Sequence, residues 1–575
     1  MKTILPLLLL VVCPVVTIAQ NRYDVVIDEI MADPSPQISL PNNEWIELKN
    51  TTTAPINLLN WRIADASGQS GPMPNFILQP DSFVIVCTGS AATAMAAWGT
   101  TIAVTSFPSL DNDGELLFLK AANGKTIHAI HYSAGWYKNE VKKEGGWTLE
   151  MTDTKNPCTG GLPARQAGSN WKASTSTAGG TPGRKNSTDA INTDDAPPQL
   201  KNAYTLDNTT IILVYDEPVD SSAAATVTNY TIDGGLTIAQ ATTIPPLFNQ
   251  VQLKTAAPLT ANTVYNITAT NITDCKGNSI ASANSTRVGL PVDPVAGEWI
   301  INEILFNPRS NAFDYTEFYN NSNKIFDASK LYIANRNSSG VISSVKALST
   351  VPFYIFPGDY IVETEDAASL SVQYLVKYPE QVLVITAPPS FPDEEGTVVA
   401  LNFQGIVVDE VAYKDDWHFK LIDNAEGVSL ERIDPAVPSQ EGANWHSAAS
   451  TAGYGTPTYK NSQYKRTEPI TATIQTSPKV FSPDNDGRDD IATIQYAVTE
   501  PGFIASITIF DAAGRPVRYL VRNATLGLNG YWHWDGLDDK GNKLPVGSYI
   551  IFTEIFNLQG KKEQFKSIVV LARKL

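Results

Sequence analysis

In the stretch "IASITIFD", apolar Ala505, Ile507 and Ile509 alternate with polar Ser506 and Thr508. A period of two turns successive side chains to opposite faces, so the stretch predicts a strand with one dry and one wet face. Nearby "IATIQYAV", "GYWHWDG", "GSYIIFTEIFN" and "FKSIVVLA" read the same way, as do "TIILVYDEPVD", "VTNYTID", "VQLK" and "NTVYNITATNITDCKGN" earlier in the chain. Pro, Gly, Asn and Asp separate these runs, and no apolar spacing of 3.6 is sustained anywhere. One short stretch, "AATAMAAWG" from Ala91, predicts a helical turn. "ELLFLKAANGKTIHAIHYS" sets two apolar runs around Asn123-Gly124, which predicts a hairpin whose two central residues both take positive φ. The pattern predicts an all-β protein.

The runs repeat. "DEIMADP" at Asp28 is echoed by "NEILFNP" at Asn302, and "EWIELKN" at Glu44 by "DYTEFYN" at Asp314. "QPDSFVIV" matches "FPGDYIVE", and "FPSLDNDGELLFL" matches "FPDEEGTVVAL". "GWTLEMTDTKNP" matches "GVSLERIDPAVP", and "NWKASTSTAGGTPGRKNS" matches "NWHSAASTAGYGTPTYKNS". Blocks matched in the same order define two copies of one domain, about residues 22–188 and 297–464. Between them, 189–291 opens with the linker "TDDAPPQL" and has the strand rhythm of an immunoglobulin-like sandwich. A last β segment, 471–575, follows the polar "NSQYKRTEP". The expected fold is therefore a tandem of Ig-like β-sandwiches.

Residues 1–19 carry a lysine, an apolar run and Thr17-Ile18-Ala19, the pattern of a secretory signal peptide cut after Ala19. Cys13 lies inside the apolar run and precedes Pro14, which argues against a lipid anchor. No later apolar run is long enough to span a bilayer as a helix. A net charge of −17 argues against phosphate-contact binding of nucleic acid and leaves carboxylates available for divalent cations. Past the leader stand Cys87, Cys158 and Cys275, too few for a disulfide framework. Cys87 and Cys158 both fall in the first copy and both lack counterparts in the second, so a Cys87–Cys158 bridge is expected in an oxidising compartment.

Glu29 and Glu47, matched by Glu303 and Glu317, are candidate paired carboxylates. Glycosidase chemistry needs such a pair across a cleft. Their flanks are apolar and strand-like, which favours carboxylates that brace neighbouring backbone. His128 and His131 are three apart on a strand, face opposite sides, and so cannot share a metal. HExxH, GxSxG and GxxxxGK[ST] are all missing from the sequence. "DNDG" at Asp111 reads as a hairpin turn. "SPDNDGRDD" is the best metal signal: Ser482 takes the first place of a calcium loop, Asp484, Asp486 and Asp490 the next acidic places, and Gly487 the turn. The twice-written closing phrase reads as structural. Trp171 and Trp445 are apolar anchors beside Asn170 and Asn444, and "GTPG" and "GTPT" are rigid closing turns.

With these residues in view, both copies resemble bacterial lamin-tail domains, an immunoglobulin-like sandwich family. The resemblance rests on "DEIMADP", "EWIELKN" with "NLLNWRIAD", and the closing phrase. The second copy is looser, with Tyr315 and Phe318 for Trp45 and Leu48. The middle segment resembles bacterial Ig-like domains. The last, with "VFSPDNDGRDD", "ITIFDAAGRPV" and "WDGLDDKGNKLPVGSY", resembles the Ig-like domain of flagellar hook-capping proteins and the gliding-motility-associated C-terminal domains of Bacteroidetes. The resemblance implies a non-enzymatic protein, secreted or on the outer cell surface, whose C-terminal domain engages type IX secretion machinery. A protein or glycan ligand at the surface, calcium as the cofactor and no nucleic acid complete the expectation. An extracellular hydrolase or nuclease and a purely structural scaffold are the alternatives.

Overall fold

The computed structural model describes residues 20–158, 170–192, 194–420, 422, 424–464, 473–557 and 562–573. The expected leader lies outside them. The chain is nearly all β, as tandem sandwiches require. It divides into two compact units, Met1–Leu259 with Tyr265–Val288, and Thr260–Val264 with Gly289–Leu575.

In the first unit the first repeat builds a six-stranded sheet in the order Trp171–Ala173, Leu149–Met151, Val25–Met31, Trp45–Asn50, Phe83–Thr88, Thr101–Val104. The last pair is parallel, and the expected helical turn, Gly89–Met95, makes the crossover. Thr88 caps that helix through its side chain, which accepts from the Ala91 N–H. A second sheet, Arg62–Ala64, Leu116–Lys120 and Thr126–His131, belongs to the same repeat. Val25–Met31 is buried at all seven positions, which explains why "VVIDEIM" does not alternate. Trp171 is 1% exposed and packs against Trp136, with ring centroids 6.0 Å apart. The middle segment supplies a four-stranded sheet (Leu200–Thr205, Thr210–Tyr215, Gln250–Thr255, Ile238–Ile244) and a three-stranded one (Tyr230–Ile232, Tyr265–Ala269, Ser285–Val288).

In the second unit the second repeat rebuilds the six-stranded sheet as Val382–Val384, Tyr360–Thr364, Tyr315–Asn320, Trp299–Leu305, Leu430–Arg432, Trp445–Ser447. Its parallel pair is again bridged by a helix, Ala367–Gln373. Trp445 packs on Trp417 as Trp171 does on Trp136, and its indole N–H donates to the Ser439 carbonyl. The C-terminal segment pairs a three-stranded with a five-stranded sheet. Its strand Phe503–Asp511 buries Ala505, Ile507 and Ile509 and leaves Ser506 and Thr508 half-buried, as the alternation predicts. Strand Lys562–Leu571 is built into this sheet between Gly547–Asn557 and the short Val480–Phe481.

The Asn123-Gly124 turn differs from expectation. Only Gly124 takes positive φ (83°), and the Ala121 N–H donates to the Lys125 carbonyl while the Gly124 N–H donates to Ala121. With the register shift after Leu119, this is a longer loop closed by a glycine bulge rather than a two-residue turn. Gly405 (φ 76°) does the same in the second repeat.

Candidate functional site

The candidate paired carboxylates meet in both repeats, and each pair has a third member. Glu29 lies directly opposite Glu47 on one neighbouring strand and Glu150 on the other; Glu303 lies opposite Glu317 and Glu431. Residues directly across a ladder share a face, so each sheet carries a row of three glutamates. All six are 0% exposed. Glu150 and Glu431 were missed in the sequence, although they sit at the same place in the matched blocks "GWTLEM" and "GVSLER".

The closing phrase covers each row. In the first repeat the Thr181 N–H donates to Glu29 (2.7 Å), the Gly183 N–H to Glu47, and the Thr181 hydroxyl to Glu150 (2.9 Å). The Ser187 hydroxyl and Thr188 N–H donate to the other Glu150 oxygen, each at 2.8 Å. In the second repeat Thr456, Thr458, Ser462 and Gln463 make the same bonds to Glu303, Glu317 and Glu431, at 2.6–2.9 Å. Asn186 and Asn461, the asparagines of "KNS", each donate to two carbonyls on the strands beneath. Asn170 and Asn444, beside the anchoring tryptophans, tie down the preceding loop. The carboxylates brace the closing turn.

Burial raises the pKa of Glu29, Glu47, Glu303, Glu317 and Glu431, with neighbouring carboxylates adding to it in most of them. The repeats diverge beside the row. A bulge leaves Asp28 unpaired between Ile27 and Glu29, and Asn302 in the matching place. The Asn302 amide donates to Glu317 (2.8 Å). Asp28 offers no such amide: one Asp28 oxygen and one Glu47 oxygen are buried without a partner. Burial lifts Asp28 to about 7 against the attraction of Lys49. The backbone at the same bulge is also satisfied differently. The Ile27 N–H donates to the imidazole Nδ1 of buried His128, whose pKa burial lowers to about 3. The Ile301 N–H donates to Asp409, which pairs with Arg432 and Ser439. His131, on the opposite face from His128, is exposed, as its spacing requires.

The Ser482–Asp490 loop brings its aspartates together. Carboxylate oxygens of Asp484, Asp486 and Asp490 all lie within 4.8 Å of one another. Asp490 also accepts from the Asn485 and Gly487 N–H groups, and Ser482 is held through its N–H to the Asp489 carbonyl. Gly487 makes the turn at φ 82°. Asp111, in "DNDG", accepts the Gly114 N–H in a turn. A second acidic group, absent from the sequence reading, joins Asp194, Glu217 and Asp274 at the same spacing.

The expected Cys87–Cys158 bridge is not formed. Cys158 pairs with Cys275 of the middle segment, 117 residues away, with Cα atoms 6.1 Å apart. Cys87 is opposite Trp45 in the sheet interior and packs with Met31, Leu40, Ile85, Ala91 and Met95. Burial raises its thiol to about 11, so it stays protonated and inert. Their shared absence from the second repeat therefore has two causes: one is a core thiol, the other a staple to a segment outside the repeat. Beside the staple a cavity of about 390 Å³ opens between the first repeat and the middle segment.

Residues 19–134 match the family described as Lamin Tail Domain. No curated protein matches the chain. Among solved structures it is similar to CopC from Methylosinus trichosporium OB3b, at 16% identity and TM-score 0.13, over 18% of this chain and 95% of that one. It is also similar to the N-terminal part of the bacterial S-layer protein SbsC, at 12% identity and TM-score 0.16, over 38% of this chain and 44% of that one. PorZ, a surface component of the type-IX secretion system of Porphyromonas gingivalis, is similar at 9% identity and TM-score 0.16, over 92% of this chain and 74% of that one.

Proposed function

We propose that this is a non-enzymatic, exported, multi-domain protein of the cell surface, in which the two repeats serve as binding or spacer modules and the C-terminal segment as the element for secretion or attachment. The observation that carries the reading is the closure of both glutamate rows. The acid–base pairs that the sequence offers are sealed under their own closing phrase and are committed to backbone donors. A hydrolase would need such a pair open to substrate and water. The lamin-tail match in residues 19–134 and the secretory pattern of residues 1–19 support export of a binding or spacer module.

The C-terminal segment is docked to the second repeat through that repeat's closing phrase. The Gln463 amide donates to the Leu526 carbonyl, the Leu528 N–H to the Ser462 carbonyl, and Thr451 meets the Tyr496 hydroxyl at 2.7 Å. The reading includes calcium at Asp484, Asp486 and Asp490, which would add fixed positive charge to an exposed acidic loop. The test expresses the full chain and a chain ending at Lys465 in a host with a type IX system, with residues 471–575 fused behind a leader and a fluorescent reporter. Surface display of the full chain and the reporter, and loss of the truncated chain, are expected. A truncated chain that still reaches the surface overturns the assignment of the C-terminal segment.

A further inference from the structure

A cavity of about 390 Å³ lies where the first repeat meets the middle segment of the same unit. In a chain of net charge −17, its walls carry three lysines, Lys49, Lys155 and Lys276, against one carboxylate, Asp81. Lys49 is fixed. Its side chain is 12% exposed, its ammonium meets Asp81 at 3.2 Å and the Thr154 hydroxyl at 3.3 Å, and it lies over the Phe83 ring. Lys155 belongs to the first repeat and Lys276 to the middle segment, and the Lys276 ammonium donates to the Lys155 carbonyl (3.1 Å). The Cys158–Cys275 staple holds the two together, with Cys275 itself on the lining. A lining with three lysines to one carboxylate, on a frame tied by a disulfide, suits an anion, because the frame and not the ligand bears the cost of bringing like charges into one site.

The second repeat shows that the feature is local. The places of Lys49, Asp81 and Lys155 are taken there by Tyr319, Gly358 and Ala436, and Tyr319 stacks on Tyr360 instead. The cavity is also far larger than a single inorganic anion needs; a water's share of liquid volume is about 30 Å³. Beyond the lysines the lining offers the Thr51 and Thr154 hydroxyls, the Tyr23 ring and Pro157. A lining that mixes hydroxyls and charged groups with an aromatic ring and a proline suits a sugar ring.

We infer that this junction binds an acidic saccharide of one or two rings, its sulfate or carboxylate on Lys49, Lys155 and Lys276. This rests on reading the first repeat as a binding module. The experiment is calorimetric titration of the full mature chain with a sulfated uronic-acid disaccharide, the same disaccharide desulfated and esterified, and sodium sulfate. The sulfated disaccharide is expected to bind at least tenfold more tightly than either control, and more weakly as salt is raised. Lys155→Ala with Lys276→Ala, both exposed and outside any core, is expected to lose at least tenfold with an unchanged circular dichroism spectrum. Cys275→Ser is expected to weaken binding by unlocking the walls. Silence with the sulfated disaccharide, equal binding of inorganic sulfate, or full affinity in the double lysine variant overturns the inference. None of these outcomes moves the surface-display assay, so failure of the ligand and failure of export are read separately.

Discussion

The two repeats fold the same sheet and close it with the same phrase, yet they balance buried charge differently. In the first, the bulge beside the glutamate row holds a carboxyl, Asp28, and a neutral His128 takes the strand N–H. In the second, the bulge holds an amide, Asn302, and a buried Asp409–Arg432 pair takes the N–H. The backbone demand is identical, so the difference lies in how a donor count can be met. Either a carboxyl keeps its proton at a raised pKa, or an amide or guanidinium brings donors of its own.

The sharpest way to break the comparison is to orphan the second repeat's buried charge. Arg432→Met removes the cation paired with Asp409, which keeps the Ile301 N–H and the Ser439 hydroxyl, and is expected to cost about 3–5 kcal/mol. Adding Asp409→His copies the first repeat's solution and should restore most of that stability. Calorimetric unfolding of the single and double variants checks this; equal loss in both would mean that the two solutions are not interchangeable.

The next largest effect concerns the staple, which has no counterpart in the second repeat. Cys275→Ser is expected to cost the first unit about 2–4 kcal/mol. Non-reducing peptide mapping should recover Cys158 joined to Cys275, with Cys87 alkylated only after unfolding. A bridge that contains Cys87 would refute the assignment.

Proton linkage sharpens the comparison further. Asp28 has a folded pKa of about 7 against an ordinary value of 3.8, so the folded state binds its proton more tightly. Its contribution is therefore complete below about pH 4 and is lost as pH rises toward 7 and beyond. Asp28→Asn, which copies Asn302, should leave stability unchanged near pH 4 and raise it by about 1–3 kcal/mol near pH 8. Asn302→Asp should do the reverse. A melting temperature for Asp28→Asn that tracks wild type across that range would count against a protonated Asp28.

The smallest effect tests the closing turn. Gly183 sits at φ 76°, where an added Cβ would meet Gly99 Cα at 2.7 Å, whereas the second repeat places Thr458 at φ 70°. That conformation is strained for a β-branched residue, but the Thr458 hydroxyl accepts the Tyr378 N–H at 3.0 Å. Thr458→Gly should change stability by less than about 1 kcal/mol, because strain relief and the lost bond offset each other. A loss above about 2 kcal/mol in thermal unfolding would show that the hydroxyl dominates.

What the sequence by itself determined is what local pattern determines. Alternation made "IASITIFD" a one-sided strand, matched blocks made two repeats, and indole size with a flanking asparagine made Trp171 and Trp445 anchors. It also placed the Asp484, Asp486 and Asp490 carboxylates together, because ligands within one short loop are held by that loop. Tertiary structure decided everything that depends on which distant strands become neighbours. Glu150 joins Glu29 only because strands far apart in the chain pair in register, and Cys158 finds Cys275 rather than Cys87 only because a middle-segment loop lies against the first repeat. Lys49, Lys155 and Lys276 look like scattered surface charge in the chain and become one basic cavity in the fold. Sequence spacing encodes local faces; the charge balance of a site built from distant segments belongs to the long-range packing that brings its members together.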